Sequence, residues 1–254
     1  MTNQSIEDLR SRYQAIQDRI AAACSANGRD RSVVNLIVVS KFHPASLVLD
    51  LLSLGQSQFG ENKDQEASAK AAEVASVLSS TDGGAPQLTP DWHFVGQLQS
   101  NKVKSVLRYA STIHSLDRPS LLAALAKERA RLSDLAQADS SEPPAPTGVF
   151  IELNLTDDQQ RGGIQPSQLT EFAASVLEVP GLHLLGVMGV ASLDGKEERD
   201  FAAIRAASEQ LQSLAPEAKY ISAGMSNDFE VAIGYGATHL RIGTAITGLR
   251  QYLA

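Results

Sequence analysis

The feature that most limits how this 254-residue chain can fold is a repeating alternation of short apolar runs with longer amphipathic stretches. It begins after a helix marked by Ile6, Leu9, Tyr13, Ile16 and Ile20, spaced by threes and fours, which stops near Asn27-Gly28, where glycine supplies a left-handed end. From there the pattern reads strand Val34 to Ser40 and helix Pro44 to Leu54, then strand Gln58 to Gly60 and helix Asn62 to Leu78. Strand Trp92 to Val95 with a helix through Lys102 and Leu107, and strand Thr112 to His114 with helix Ser120 to Leu135, complete the first half. The second half carries strands Gly148 to Leu155 and Leu182 to Val190, with helices Ser167 to Leu177 and Glu197 to Leu214. Strand Tyr220 to Ser222 with helix Asn227 to Tyr235, and strand His239 to Ile242 with a final helix after Thr244, close the count. Eight such units predict an α/β fold, a single (β/α)8 barrel domain over residues 1–254, in preference to a doubly wound open sheet.

Composition agrees with a barrel and narrows its partners. Hydrophobic residues make up 43% of the chain, enough for one large core. A net charge of −7 argues against an electrostatic grip on nucleic acid or on an anionic membrane. The start, MTNQSIEDLRSRYQ, lacks the basic and apolar blocks of a signal peptide, and the most apolar stretch, Leu182 to Ala191, is too short to span a bilayer. The lone Cys24 can form no intrachain disulfide and reads as helix packing. These observations predict a cytoplasmic protein. Two segments rich in Ser, Pro and Gly, Ser79 to Asp91 and Ala138 to Gly148, fall in helix-to-strand connections and are expected to carry no chemistry.

In such a barrel, function gathers where strands end. Lys41 follows strand one, Glu61-Asn62 strand two, Gly96-Gln97 strand three, Ser115 strand four, Thr156 strand five and Ala191-Ser192 strand six. After strands seven and eight come AGMSND (Ala223 to Asp228) and GTAITG (Gly243 to Gly248), small residues leading into helix starts. Taken alone, either loop is an ordinary turn with Ser226 or Thr244 as a cap. Paired on adjacent strands, with Gly224 and Gly243 admitting close backbone approach, they suggest a phosphate cup.

Lys41 taken alone is a strand-end lysine reaching for water. Placed in a partly desolvated mouth, it gains neutral amine that can attack an aldehyde. A Schiff-base lysine and a phosphate cup on one face suggest pyridoxal 5'-phosphate (PLP) as cofactor. Arg241 on strand eight is either a structural ion-pair residue or, in the cofactor reading, a fixed donor to the pyridine nitrogen that weakens carbanion chemistry.

The segments VVSKFHPAS, FGENKDQEA, DWHFVGQLQSNKVK, IHSLDR and GMSNDFEVAIGYGATHLRIGTAITG resemble, in order, those of the pyridoxal phosphate homeostasis protein family, also known as the YggS or PROSC family. The likeness runs from about Val34 to Arg250. It implies a barrel of the alanine racemase N-terminal type with PLP on Lys41, and Asn62 near the ring. It also implies Gly224, Met225 and Ser226 together with Gly243 and Thr244 around the phosphate, and Arg241 at the ring nitrogen. The family is thought to buffer or deliver vitamin B6 cofactor and to affect amino-acid and keto-acid balance, without established turnover, so PLP-dependent apo-enzymes are the expected partners and a monomer the expected state. Lys63-Asp64, Arg161 and Thr247 depart from the usual family residues, none at a predicted anchor.

Two enzymatic alternatives remain open at this point. A PLP-dependent amino-acid racemase needs a second acid/base, and Tyr13, Tyr109, Tyr220, Tyr235 and Tyr252 all fall away from the expected mouth. A cofactor-free aldolase needs a group beside Lys41, for which Glu61 is the strand-end candidate. His93 and His114 read as hydrogen-bonded core residues, not metal ligands. Gln97 to Asn101 with Lys102 and Lys104 reads as a solvated helix start.

Overall fold

Helix α1 (Ile6–Ala26) turns Leu9, Tyr13, Ile16, Ile20, Ala23 and Cys24 inward, the stripe its spacing predicts. Gly28 follows it with φ of 62° and supplies the expected left-handed stop. In the computed structural model, which describes residues 6–80, 88–156, 158, 161–192 and 195–248, strand and helix then alternate through the chain. The strands are β1 (Asn35–Val39), β2 (Gln58–Glu61), β3 (Asp91–Phe94), β4 (Ala110–Leu116), β5 (Thr147–Glu152), β6 (Leu182–Met188), β7 (Tyr220–Ser222) and β8 (His239–Ile242). Between them run α2 (Ala45–Ser53), α3 (Asp64–Ser80), α4 (Val103–Val106), α5 (Pro119–Ala138), α6 (Leu169–Leu177), α7 (Glu197–Leu214) and α8 (Phe229–Gly234), with α9 (Thr244–Thr247) after β8.

The strands pair in sequence order into a closed barrel. Closure is a parallel pairing of β8 with β1, from Asn35 opposite His239 to Val38 opposite Ile242. A closed ring leaves no strand edge for another chain to extend. Alternation sorts the side chains: Leu36, Val38, Phe59, Ile113, Val149 and Ile151 join the helices in one hydrophobic core. Buried residues of this size each stabilise the fold by roughly 1.5–3 kcal/mol. The opposite faces of β3, β4, β5 and β8 place His93, His114, Phe150 and His239 together inside the barrel.

Helix α1 lies against α8 and α9, the helices that follow the last two strands. Arg19 pairs with Glu230 at 2.5 Å, and Arg12 Nε donates to the Ile246 carbonyl at 2.7 Å. The opening helix therefore buttresses the two loops that the sequence nominates as a cup.

Several predicted bounds shift, each for a local reason. Pro44 does not begin α2 but stands at its N-cap with extended backbone, because proline's fixed φ and missing N–H suit the edge of a helix. The helix expected through Lys102 and Leu107 shrinks to a 3-10 turn (Ser100–Lys102) and the single turn of α4. Strand β5 ends at Glu152, not Leu155, and beyond it only Leu153 bridges, to Ile164. Strand β4 is longer than expected, so Ser115 lies within the strand and not beyond it. Helix α8 is capped at Asp228 and spans only Phe229–Gly234. Of the segment Ser79 to Asp91, residues 81–87 lie outside the described residues, as does Tyr252.

Candidate functional site

At the C-terminal ends of the strands a cavity of about 520 Å³ is lined by Lys41, Asn62, Met225, Ser226, Arg241, Gly243 and Thr244, and also by Gln97 and Glu152. Seven of the eight residues nominated from sequence thus meet at one mouth. The eighth, Gly224, is placed behind it. Its φ is +92°, and a Cβ there would stand 2.9 Å from Ala232 Cβ and 3.0 Å from Phe229 Cα, so glycine is what lets this loop pack onto α8. A larger groove of about 850 Å³ runs along the flank between α3, Trp92 and Tyr109, lined largely by Ala and Ser. It gathers no amine and carboxylate together.

Lys41 sits in the turn leaving β1, half-buried. Among the described residues its amine has no hydrogen bond or ion pair, and stands 6.0 Å from the centre of the Phe42 ring. The turn is held from behind. Phe42 adopts a left-handed φ of 69°, unusual for an aromatic residue, and its N–H donates to Glu66 of α3. Ser40, the residue before Lys41, is clamped as well: its N–H donates to the Gly60 carbonyl at 3.0 Å and its carbonyl accepts from Lys70 at 2.8 Å.

Glu61 does not serve as the partner of Lys41. Its carboxylate is fully buried and accepts from Lys70 Nζ at 2.6 Å and from Ser40 Oγ at 2.7 Å. Burial pushes its pKa up and Lys70 opposes that shift. This buried pair ties β2, the end of β1 and α3 together behind the mouth, and Glu61 is absent from the cavity lining.

Asn62 enters the mouth because its backbone is fixed: a Cβ on Gly96 would lie 2.3 Å from the Asn62 carbonyl oxygen, so the loops after β2 and β3 are in direct backbone contact. On the far side, Asp228 accepts the Met225 N–H at 2.5 Å and shapes the loop after β7. The N–H groups of Ser226 and Thr244, which line the cavity, have no acceptor among the described residues. Neither hydroxyl is a cap; Asp228 and Gly243 occupy the cap positions of α8 and α9.

Arg241 is buried and makes no salt bridge among the described residues. Nη1 donates to Ser222 Oγ at 2.5 Å and Nη2 to the Gly189 carbonyl at 3.0 Å. Burial pulls its pKa down to about 10, with the charges of Glu152 and Asp228 opposing the shift, so it stays a cation at neutral pH. Ser222 in turn contacts His114 Nδ1 at 2.8 Å, and His114 Nε2 contacts His93 Nδ1 at 3.0 Å. His93 Nε2 lies 3.4 Å from Asp91 Oδ2 at the other end of the barrel. His93 and His114 are thus internal residues of a polar chain that ends at Arg241. Burial, first of all, lowers the pKa of His114, and takes that of His239 down to about 3.

Glu152 is the mouth residue that sequence reasoning missed. It closes β5, and Gln97 Nε2 donates to its Oε2 at 2.6 Å. Burial and then the charge of Asp117 raise its carboxyl to about 7. A strand expected through Leu155 places Glu152 in its interior, whereas β5 ends at Glu152. The available signal was a carboxylate closing the apolar run GVFIE, the same oddity that singled out Lys41.

The alanine racemase N-terminal domain family matches residues 12–251. The chain is 37% identical over 247 residues to the pyridoxal phosphate homeostasis protein of Mycobacterium tuberculosis, covering 96% of this chain and 93% of that one. With the protein of the same name from Escherichia coli it shares 35% identity over 250 residues, 97% of this chain and 99% of the other. Among solved structures, PipY of Synechococcus elongatus with PLP bound is 30% identical at a TM-score of 0.73, covering 92% of this chain and 100% of that chain. Alanine racemase of Corynebacterium glutamicum, 13% identical at a TM-score of 0.61 and matched over 95% of this chain and 62% of its own, shares the fold.

Proposed function

The chain belongs to the pyridoxal phosphate homeostasis protein family, within the wider alanine racemase N-terminal domain family, and from that premise we propose that it binds PLP covalently through Lys41 and acts in vitamin B6 homeostasis and amino-acid and keto-acid balance. The observation that carries this reading is the meeting, around one cavity, of an amine and two loop N–H groups that have no hydrogen-bond partner among the described residues, with a fixed guanidinium. When bound, PLP supplies an aldehyde for covalent attachment and a ring able to take up electrons.

The chain's own residues fit that group. Lys41 would present the nucleophilic amine, and Asn62, which lines the same cavity, would stand near the ring. Met225, Ser226, Gly243 and Thr244 would receive the phosphate, with Gly224 shaping the loop after β7 from behind. Arg241 would donate to the ring nitrogen and, because a guanidinium cannot accept a proton, would leave that nitrogen unprotonated. An unprotonated ring would be a weaker electron sink than a protonated one. Residues 1–254 are taken as one cofactor-binding domain, monomeric and cytoplasmic, with PLP-dependent apo-enzymes as recipients. Sedimentation with and without PLP checks the monomer.

The enzymatic alternatives find little support. Tyr13 is bonded to Gln56 at 3.2 Å, Tyr220 packs edge-on against His239, Tyr235 lies against Phe201, and Tyr109 faces Asp64 at 3.5 Å. None of these four lines the mouth. Incubation with L-alanine and appearance of D-alanine at enzyme-like rates would reverse the preference for a carrier. The decisive test is the visible spectrum of purified protein with PLP added, followed by transfer to an apo-enzyme. Absorbance that appears in the wild type and vanishes in Lys41→Ala is expected; absorbance unchanged in that variant overturns the assignment.

A further inference from the structure

The mouth has two unlike sides. Small residues and N–H groups line the β7 and β8 side, whereas the β3 and β5 side presents a carboxylate held by an amide. Gln97, the amide, is fixed in place: a Cβ added to Gly162 would lie 2.0 Å from its Nε2, so the two are packed in contact. With Oε2 of Glu152 engaged by that amide, Oε1 has no hydrogen-bond partner among the described residues and belongs to a residue lining the cavity shared with Lys41.

We propose that Glu152, positioned by Gln97, forms a subsite for a primary amine, binding the ammonium of an amino acid or of a lysine side chain and accepting its proton across the mouth from Lys41. This inference rests on the reading of the mouth as a PLP site, and names what the opposite wall of that site recognises. An ammonium has no free electron pair and is not a nucleophile. Transfer of one proton from it to the Glu152 carboxylate leaves a neutral amine with its lone pair free and a neutral carboxylic acid, with no change of oxidation state. A base is most effective when its own pKa lies near the working pH. The carboxyl's value of about 7 meets that condition.

The charged groups around this oxygen are Asp117 from the turn after β4, Arg241 from β8 and Arg161 from the segment after β5, while Lys41 and Asp228 share the cavity wall. Asp117 favours the protonated form and the two arginines the ionised form. A cationic ligand adds to the arginines' effect, so amine binding is expected to draw the carboxyl's titration down.

The test uses the full chain without PLP, labelled with 13C in its glutamate carboxyls, with Glu152 assigned by comparison with Glu152→Gln. Methylamine and L-alanine are the probes. The Glu152 resonance is expected to titrate near 7 and to move to lower pH when amine is added, with no response to sodium chloride at equal ionic strength. In PLP-loaded protein, amine-driven release, normalised to the loaded fraction, is expected to fall on the order of 100-fold in Glu152→Gln, with partial recovery in Glu152→Asp. Its rate should rise with pH through the carboxyl's titration in wild type and lose that limb in the Gln variant. A carboxyl indifferent to amine, or a release rate unchanged in Glu152→Gln, overturns the proposal. Failure of the wild type to take up PLP overturns the cofactor reading instead, and the amine response of the unloaded protein separates the two.

Discussion

Two regions meet at the end of β1, the open mouth in front and the packed polar layer between β1, β2 and α3 behind it, and each contributes a lysine. Lys70 is buried, and its three donors are matched by the Ser40 carbonyl at 2.8 Å, Glu61 at 2.6 Å and Glu66 at 3.1 Å. Lys41 is half-buried, and among the described residues its amine has no such partner. The fold therefore uses one ammonium as a structural tie and leaves the other available. What separates the two lysines is the surroundings of the amine.

Breaking that contrast on its structural side gives the largest effect. Lys70→Ala strands the buried Glu61 carboxylate and should lower stability by about 3–5 kcal/mol in urea titrations, whereas replacing the pair together, Glu61→Leu with Lys70→Met, should recover most of the loss. If the single variant is as stable as wild type, the layer behind the mouth is not the tie described.

Acid separates the interior from the mouth by sign. His239 has a folded pKa near 3 against an ordinary value of 6.5, so the folded state binds fewer protons between them. Relative to His239→Gln, the wild type should lose stability as pH falls below about 6.5, by up to about 1.4 kcal/mol per pH unit. Glu152 is shifted upward, from 4.5 to about 7, so relative to Glu152→Gln the wild type should lose stability as pH rises through that interval. The carboxyl is half-buried, and solvent screening makes this second slope the shallower. Equal signs in the two difference curves would contradict the description of both sites.

Smaller effects follow at the mouth itself. Gly224→Ala forces a left-handed φ on alanine and a crowded Cβ, at a loss of about 1–3 kcal/mol in thermal or urea unfolding, and should weaken PLP retention with it. Lys41→Ala should move stability by no more than about 0.5 kcal/mol while removing PLP-dependent absorbance. Stability loss on the scale of the Lys70 variant would show that Lys41 is a structural residue after all.

Much of this is legible in the sequence. The eight-fold alternation gave the barrel, because each strand-helix unit carries its own periodicity, and the strand-end rule gave Lys41, Asn62 and the two loops. The Asn27-Gly28 stop and the interior positions of His93 and His114 were equally readable. What escaped were contacts between residues distant in sequence. Lys70 looks like any exposed helix lysine until α3 is laid against β1 and β2. Glu152 looked like mid-strand because the ladder's end depends on where β6 stops pairing, which a single strand does not record. The helix after β3 was overextended for a similar reason: Lys102 and Leu107 fit a helical spacing, but the backbone there tightens into a 3-10 turn before α4.

The chain of contacts from Arg241 through Ser222 and His114 to His93 has a direction. Arg241 can only give protons, so the assignment that gives each of the following links one donor has the Ser222 hydroxyl donate to His114 Nδ1 and His114 Nε2 donate to His93 Nδ1. That order fixes both imidazoles in one tautomer, with His93 Nε2 turned toward Asp91. Anything at the mouth that draws on the Arg241 guanidinium changes how strongly Ser222 is polarised, and the change passes inward one bond at a time. The imidazole 15N resonances deep in the barrel are therefore a built-in gauge of occupancy, readable without colour, turnover or a label at the mouth.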